Sequence, residues 1–212
     1  MRTEKVILAL SVTLLIWVMS AAMSKAEPVN IVGLGDSLMA GYQLQPGEGF
    51  PAQLEKALIA KGIQVKVTDA GVSGDTSSGG LARLDWSVPD GTDYVLLELG
   101  ANDALRGISP EITKTNLETM ISRLQSRNIK VILAGMLAPP NMGKDYGDTF
   151  NQLFPMLAAK YGLPLIPFFL DGVAGVPQLQ LDDNMHPNPS GVAKMVEGAL
   201  PVMMKALDQA SQ

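Results

Sequence analysis

The chain has 212 residues, enough for one domain with a substantial core, and 47% of them are hydrophobic against 17% charged. That balance excludes a disordered chain, and a formal net charge of −5 without a basic run argues against nucleic acid as a partner. There is no cysteine and only one histidine, which excludes disulfides, a lipid-anchored cysteine and any metal site built from imidazole and thiolate.

The first segment has the three-part plan of a secretory leader. Arg2 and Lys5 give a positive start, residues 6–19 carry no charge, and Ser24-Lys25-Ala26 places small residues at the −3 and −1 positions of a cleavage site. Fourteen uncharged residues are short for a membrane span, which needs about 20. A signal peptide over 1–26 is therefore expected, with export to the periplasm or medium. Cleavage after Ala26 leaves a domain over 27–212 and removes Arg2, Lys5 and Lys25 against Glu4, so the net charge moves from −5 to −7.

The rest alternates short apolar runs with amphipathic stretches. Residues 29–34 read as a strand, and 50–60 as a helix with Phe50, Leu54, Leu58 and Ile59 on one face, stopped by Gly62. A second strand is expected at 65–68 and a short helix at 77–85. A third strand covers 94–99. Ser109-Pro110 opens a long helix to Arg127, with a serine cap and proline at the first helical position. A fourth strand at 130–134, a helix around 148–161, a short strand at 165–166 and a final helix over 189–207 complete the series. Asn188 is the expected cap of that last helix, and Pro201 an expected kink or interruption. Five strands separated by helices predict one α/β domain: a parallel sheet with helices on both faces.

In open parallel sheets, ligands bind beyond the carboxyl ends of the strands. The segments there are distinctive. After the first strand comes Gly35-Asp36-Ser37-Leu38, and after the second Ser73-Gly74-Asp75-Thr76. Gly100-Ala101-Asn102-Asp103 follows the third, and Asp182-Asp183-Asn184-Met185-His186-Pro187 follows the fifth after a longer loop. Loops are polar anyway, but that does not predict this chemical sorting. A serine hydroxyl needs a base to become a nucleophile, an imidazole is that base near neutral pH, a carboxylate fixes its tautomer, and fixed donors stabilise developing oxyanion charge. Ser37 alone could equally be a helix cap, and Asp182 competes with Asp183 for the histidine. Asp36 and Asp103 read as structural. Gly-x-Ser-x-Gly is absent around Ser37, which argues against the strained elbow of α/β-hydrolases.

These four blocks, in this order and spanning nearly the whole chain after the leader, resemble the SGNH hydrolases, also called the GDSL family. Ser73-Gly74-Asp75-Thr76, Leu81-Ala82-Arg83-Leu84 and the run 98–107 are most similar to the bacterial periplasmic branch of thioesterases, lysophospholipases and arylesterases. The resemblance implies a flavodoxin-like three-layer α/β/α sandwich with a five-stranded parallel sheet. It implies that Ser37 attacks an acyl carbonyl, that His186 is general base and then acid, and that Asp183 orients it. The backbone N–H groups of Ser37 and Gly74 and the side-chain amide of Asn102 would form the oxyanion hole. No cofactor or metal is expected. The implied substrate is a small acyl ester or thioester, and membrane contact is expected only through substrate lipids. Met39 stands where this branch often carries a small residue, which is expected to alter the pocket wall. Leu105, Ile108, Leu137 and Pro139, with neighbouring Ala138, Pro140 and Met142, are candidates for an apolar acyl groove, or else simply cover the core. A carbohydrate O-deacetylase of the same family, and a non-catalytic flavodoxin-like binding protein, are the alternatives.

Overall fold

The computed structural model describes residues 27–208, so the expected leader lies outside the described residues. Five parallel strands form one sheet: β1 (Val29–Gly35), β2 (Val65–Gly71), β3 (Tyr94–Glu98), β4 (Lys130–Ala134) and β5 (Leu165–Ile166), in the order β2-β1-β3-β4-β5. This is the doubly wound, flavodoxin-like order, with its switch point between β1 and β3. The central strands are apolar on both faces because helices cover both, and every residue of β3 is buried.

Helix α1 (Ser37–Ala40) is a single turn directly after β1. It is followed by α2 (Phe50–Ala60), α3 (Ser77–Ala82), α4 (Leu84–Ser87), α5 (Ala101–Leu105), α6 (Pro110–Ser126), α7 (Lys144–Tyr161) and α8 (Pro189–Asp208). Helices α2 and α8 pack on each other in one layer, while α6 packs against α3 and α7 in the other. The apolar face of α2 buries Phe50, Leu54 and Leu58, and that of α6 buries Leu117, Met120, Ile121 and Leu124, at the three- and four-residue spacings a helix requires. The Ser109 hydroxyl caps α6 by accepting from the Glu111 N–H, and the Asn188 side chain caps α8 by accepting from the Gly191 N–H.

Several expectations are corrected. Strand β2 runs three residues past Thr68, because pairing with β1 continues to Gly35 and Gly71 although Asp69-Ala70-Gly71 has little strand preference of its own. The helix expected over 77–85 is two short ones, broken at Arg83. Helix α7 begins at Lys144, not near 148, and the one-turn α1 and α5 carry no periodicity long enough to read. Pro201 does not interrupt α8. It lies on the exposed side, while Met195, Val196, Ala199 and Met203 hold the opposite face in the core. Met39 is fully buried and packs over β1, where a Cβ on Gly33 would come within 2.5 Å of its sulfur. It therefore fills core volume above a glycine strand and forms no part of the pocket wall.

Candidate active site

The site is assembled at the carboxyl ends of β1, β3 and β5. At the end of β1 the chain turns sharply into α1, and Asp36 makes the turn. Its Oδ1 accepts from the Leu38 N–H at 3.0 Å, capping α1 and leaving Ser37 as the first helical residue. The Asp36 N–H donates to Glu98 Oε2 at 3.2 Å, which ties the turn to the end of β3. Arg83 ties it from the other side: its guanidinium donates to Gly35 O at 2.8 Å and Ala70 O at 2.7 Å and pairs with Asp75.

The histidine arrives on the loop before α8. The two oxygens of Asp183 divide the work. Oδ1 accepts from the N–H groups of Met185 and His186 at 2.9 and 3.0 Å, folding the loop, and Oδ2 meets His186 Nδ1 at 2.6 Å. His186 Nε2 lies 2.9 Å from Ser37 Oγ. Hydroxyl, imidazole and carboxylate thus stand in line, the arrangement in which an imidazole takes a hydroxyl proton while its other nitrogen is fixed. Asp182 makes no side-chain bond to His186. The structure brings Asp183 to the ring and leaves Asp182 aside.

The donors converge from two further loops. Asn102, in α5 just past β3, directs its side-chain amide toward the turn, where Nδ2 donates to Asp36 Oδ2 at 2.9 Å. An amide nitrogen has two hydrogens, so one remains for the groove. The N–H groups of Ser37 and Gly74 donate to no protein acceptor among the described residues, and Ser37, Gly74 and Asn102 all line one groove. Gly74 has φ +83°, and its carbonyl accepts from Arg106 Nη2 at 2.7 Å. Asp103 behaves as a structural group: it is buried and accepts from the Ser77 N–H, the Ser77 hydroxyl and the Thr113 hydroxyl.

Burial and hydrogen bonding set the carboxylates apart. Burial opposes ionisation of Asp183, but the His186 backbone N–H, the His186 ring and the Met185 N–H outweigh it and hold the group at about 2. Burial dominates at Asp36 and pushes it up from 3.8 to about 6, against the Leu38 and Asn102 bonds. Glu98 is fully buried and raised well above the ordinary glutamate range, with repulsion from Asp36 adding to desolvation. Its Oε1 has no hydrogen-bond partner.

The groove has a volume of about 610 Å³ and is largely apolar. Leu105, Leu137, Pro139, Ala138 and Pro140 line it, as the sequence suggested. Ile108 does not: it is half-buried behind the rim, and its carbonyl accepts from the Tyr146 hydroxyl. Met142 is also outside the lining. Sequence reasoning missed Tyr42, Met136, Phe168, Leu170, Ala174 and Met185. Met136 and Phe168 follow β4 and β5 almost immediately, so the strand-end rule that found Ser37 had the means to find them.

Fold and site together define a class: a parallel α/β/α hydrolase that carries a serine at the end of its first strand. The chain belongs to the GDSL-like Lipase/Acylhydrolase family, whose pattern it matches over residues 34–194. It is 39% identical to an arylesterase of Vibrio mimicus, over 91% of this chain and 96% of that one. It is 38% identical to the thioesterase 1/protease 1/lysophospholipase L1 of Escherichia coli strain K12, over 73% of this chain and 74% of that one. Among solved structures, the SGNH-hydrolase family esterase AlinE4 superposes with a TM-score of 0.73 at 44% identity, covering 87% of this chain and 99% of that one. The protein is accordingly a carboxylic ester hydrolase.

Proposed function

We propose that this protein is an exported esterase that hydrolyses acyl esters and thioesters through an acyl-enzyme intermediate on Ser37. The observation that carries the reading is the line Asp183 Oδ2, His186 Nδ1, His186 Nε2, Ser37 Oγ, with spacings of 2.6 and 2.9 Å, standing in the wall of an apolar groove.

Ser37 Oγ attacks the acyl carbon as its proton passes to His186 Nε2. The negative charge that forms on the carbonyl oxygen meets the Ser37 N–H, the Gly74 N–H and the free hydrogen of Asn102 Nδ2. Asp183 keeps the proton of the ring on Nδ1 and balances the imidazolium. Collapse of the tetrahedral species breaks the bond to the leaving alkoxide or thiolate, which takes the proton from Nε2. Water then repeats the sequence on the acyl-serine, giving up one proton to Nε2 and freeing the acid and Ser37. The apolar walls suit a hydrocarbon acyl chain better than a sugar, which favours the arylesterase and thioesterase-type substrates named for the relatives over an acetylated carbohydrate. Export rests on the leader pattern of residues 1–26. Among the described residues no helix is long and apolar enough to cross a membrane.

The test is hydrolysis of nitrophenyl esters from two to twelve carbons by the mature protein and by Ser37→Ala. Loss of at least a thousandfold in kcat is expected for the variant. Equal rates for the two proteins rule the proposal out, and activity confined to acetylated sugars transfers the protein to the deacetylases.

A further inference from the structure

The serine and the carboxylate hold the two nitrogens of His186, but neither holds the faces of the ring. The Asp183 side chain that meets the ring is about 38% exposed, and the loop's own hydrogen bonds run through its backbone and Asp183, not against the ring faces. The ring of Tyr42 lies against the imidazole, with a centroid distance of 4.4 Å and an interplanar angle of 36°.

Tyr42 is itself built into the serine turn. Gly41 ends α1 in a left-handed conformation, with φ +66°, and the next N–H, that of Tyr42, donates to the carbonyl of Ser37 at 3.1 Å. The Tyr42 hydroxyl accepts from Gln43 Nε2 at 3.1 Å, and Gln43 occupies φ +58°, a backbone region that non-glycine residues rarely enter. Strain of this kind persists only where surrounding structure holds it, and it gathers at functional sites. The backbone thus anchors Tyr42, a residue 38% exposed, to the serine turn, and its ring meets the imidazole.

We propose that Tyr42 is a positioning residue, an aromatic rest that holds the imidazole of His186 against Ser37 and favours the imidazolium formed in each proton transfer. A π face attracts a cation placed over it, and a base held in line avoids the loss that small displacements cause. The inference rests on the esterase reading above. It is separable from that reading because Tyr42 also lines the groove, where it would otherwise act only as a wall.

The experiment measures kcat and KM on nitrophenyl acetate, whose two-carbon acyl group makes the least use of the groove's apolar length, for wild type, Tyr42→Phe, Tyr42→Leu and Ser37→Ala. Inactivation by phenylmethanesulfonyl fluoride gives a second readout of Ser37 reactivity. Tyr42→Leu is expected to lower kcat about three- to tenfold with little change in KM, and to slow inactivation by a similar factor. Tyr42→Phe, which keeps the face, should recover most of both. Circular dichroism checks that the variants fold, and Tyr42→Phe keeps the test open if Tyr42→Leu does not. An unchanged kcat in Tyr42→Leu, an effect confined to KM, or an equal loss in Tyr42→Phe overturns the proposal. If Ser37→Ala keeps full activity, it is the esterase reading that falls.

Discussion

Replacing Asp36 with Asn should make the protein more stable and less active at the same time. Asp36 is 1% exposed and its carboxyl is raised from 3.8 to about 6, mainly by burial. The folded state therefore binds this proton more tightly than the unfolded chain does. The stability gained from that proton is complete below about pH 4 and is lost as pH rises through about 6. The gap between 3.8 and about 6 corresponds to roughly 3 kcal/mol at neutral pH. Asparagine has the same shape and no charge, so it escapes this cost. It still offers one oxygen to the Leu38 N–H, but its amide then turns a donor toward the Asn102 amide, which flips to present its own oxygen. The hydrogen intended for the groove is lost, and removal of one such donor costs about a hundredfold or more in kcat. The assay is urea unfolding of both proteins from pH 4 to 8, with kcat measured alongside. The variant's advantage should grow with pH by up to about 3 kcal/mol, less what the weakened Asn102 contact takes back. A stability difference that does not change with pH refutes the reasoning about burial. A variant of undiminished kcat refutes the reasoning about the amide.

Two further outcomes follow from the geometry. Asp183→Asn should lower kcat by roughly 10³–10⁴ with little change in thermal midpoint, because the amide no longer enforces a proton on Nδ1 while its oxygen can still accept from the Met185 and His186 N–H groups. A loss below tenfold would assign the orienting role elsewhere. Gly71→Ala should destabilise the fold by about 1–3 kcal/mol and lower activity, read as melting temperature and kcat together. A Cβ at that position meets Ala40 N at 2.3 Å and Asp36 O at 2.8 Å, both backbone atoms of the serine turn that cannot swing aside. Wild-type stability in this variant would show that the turn has more room than its packing implies.

The sheet was legible because parallel strands covered on both faces are written as continuous apolar runs, as in residues 94–97. That Ser37, Asn102 and the loop over residues 182–186 would gather at one end was legible because strand-end loops of a doubly wound sheet must meet, whereas the choice of Asp183 over Asp182 rested on the family resemblance. Contacts between residues far apart in sequence were less so. Tyr42 stands five residues from Ser37, yet its meaning depends on a ring 144 positions away. Ile108 looked like a groove residue from its place beside Leu105. The turn that follows α5, where the Gly107 and Ile108 N–H groups bond back to Ala104 and Asp103, carries it off the lining. Met39 was misread for a related reason: its neighbours in space are the glycines of β1, and no pattern within its own helix discloses them.

The division of labour within Asp183 has a consequence for how such a centre comes together. The carboxylate that meets the ring at Nδ1 also folds the loop that bears it, so the proposed base and its orienter form one local unit of four residues. The hydrogen bond that joins this unit to the serine, Ser37 Oγ to His186 Nε2, spans 149 positions of sequence. On the proposed reading, the serine gains its base only where the loop before α8 meets the end of β1. A substitution that shifts the seating of α8 would then reach the serine through this one contact, without touching any of the site's own side chains.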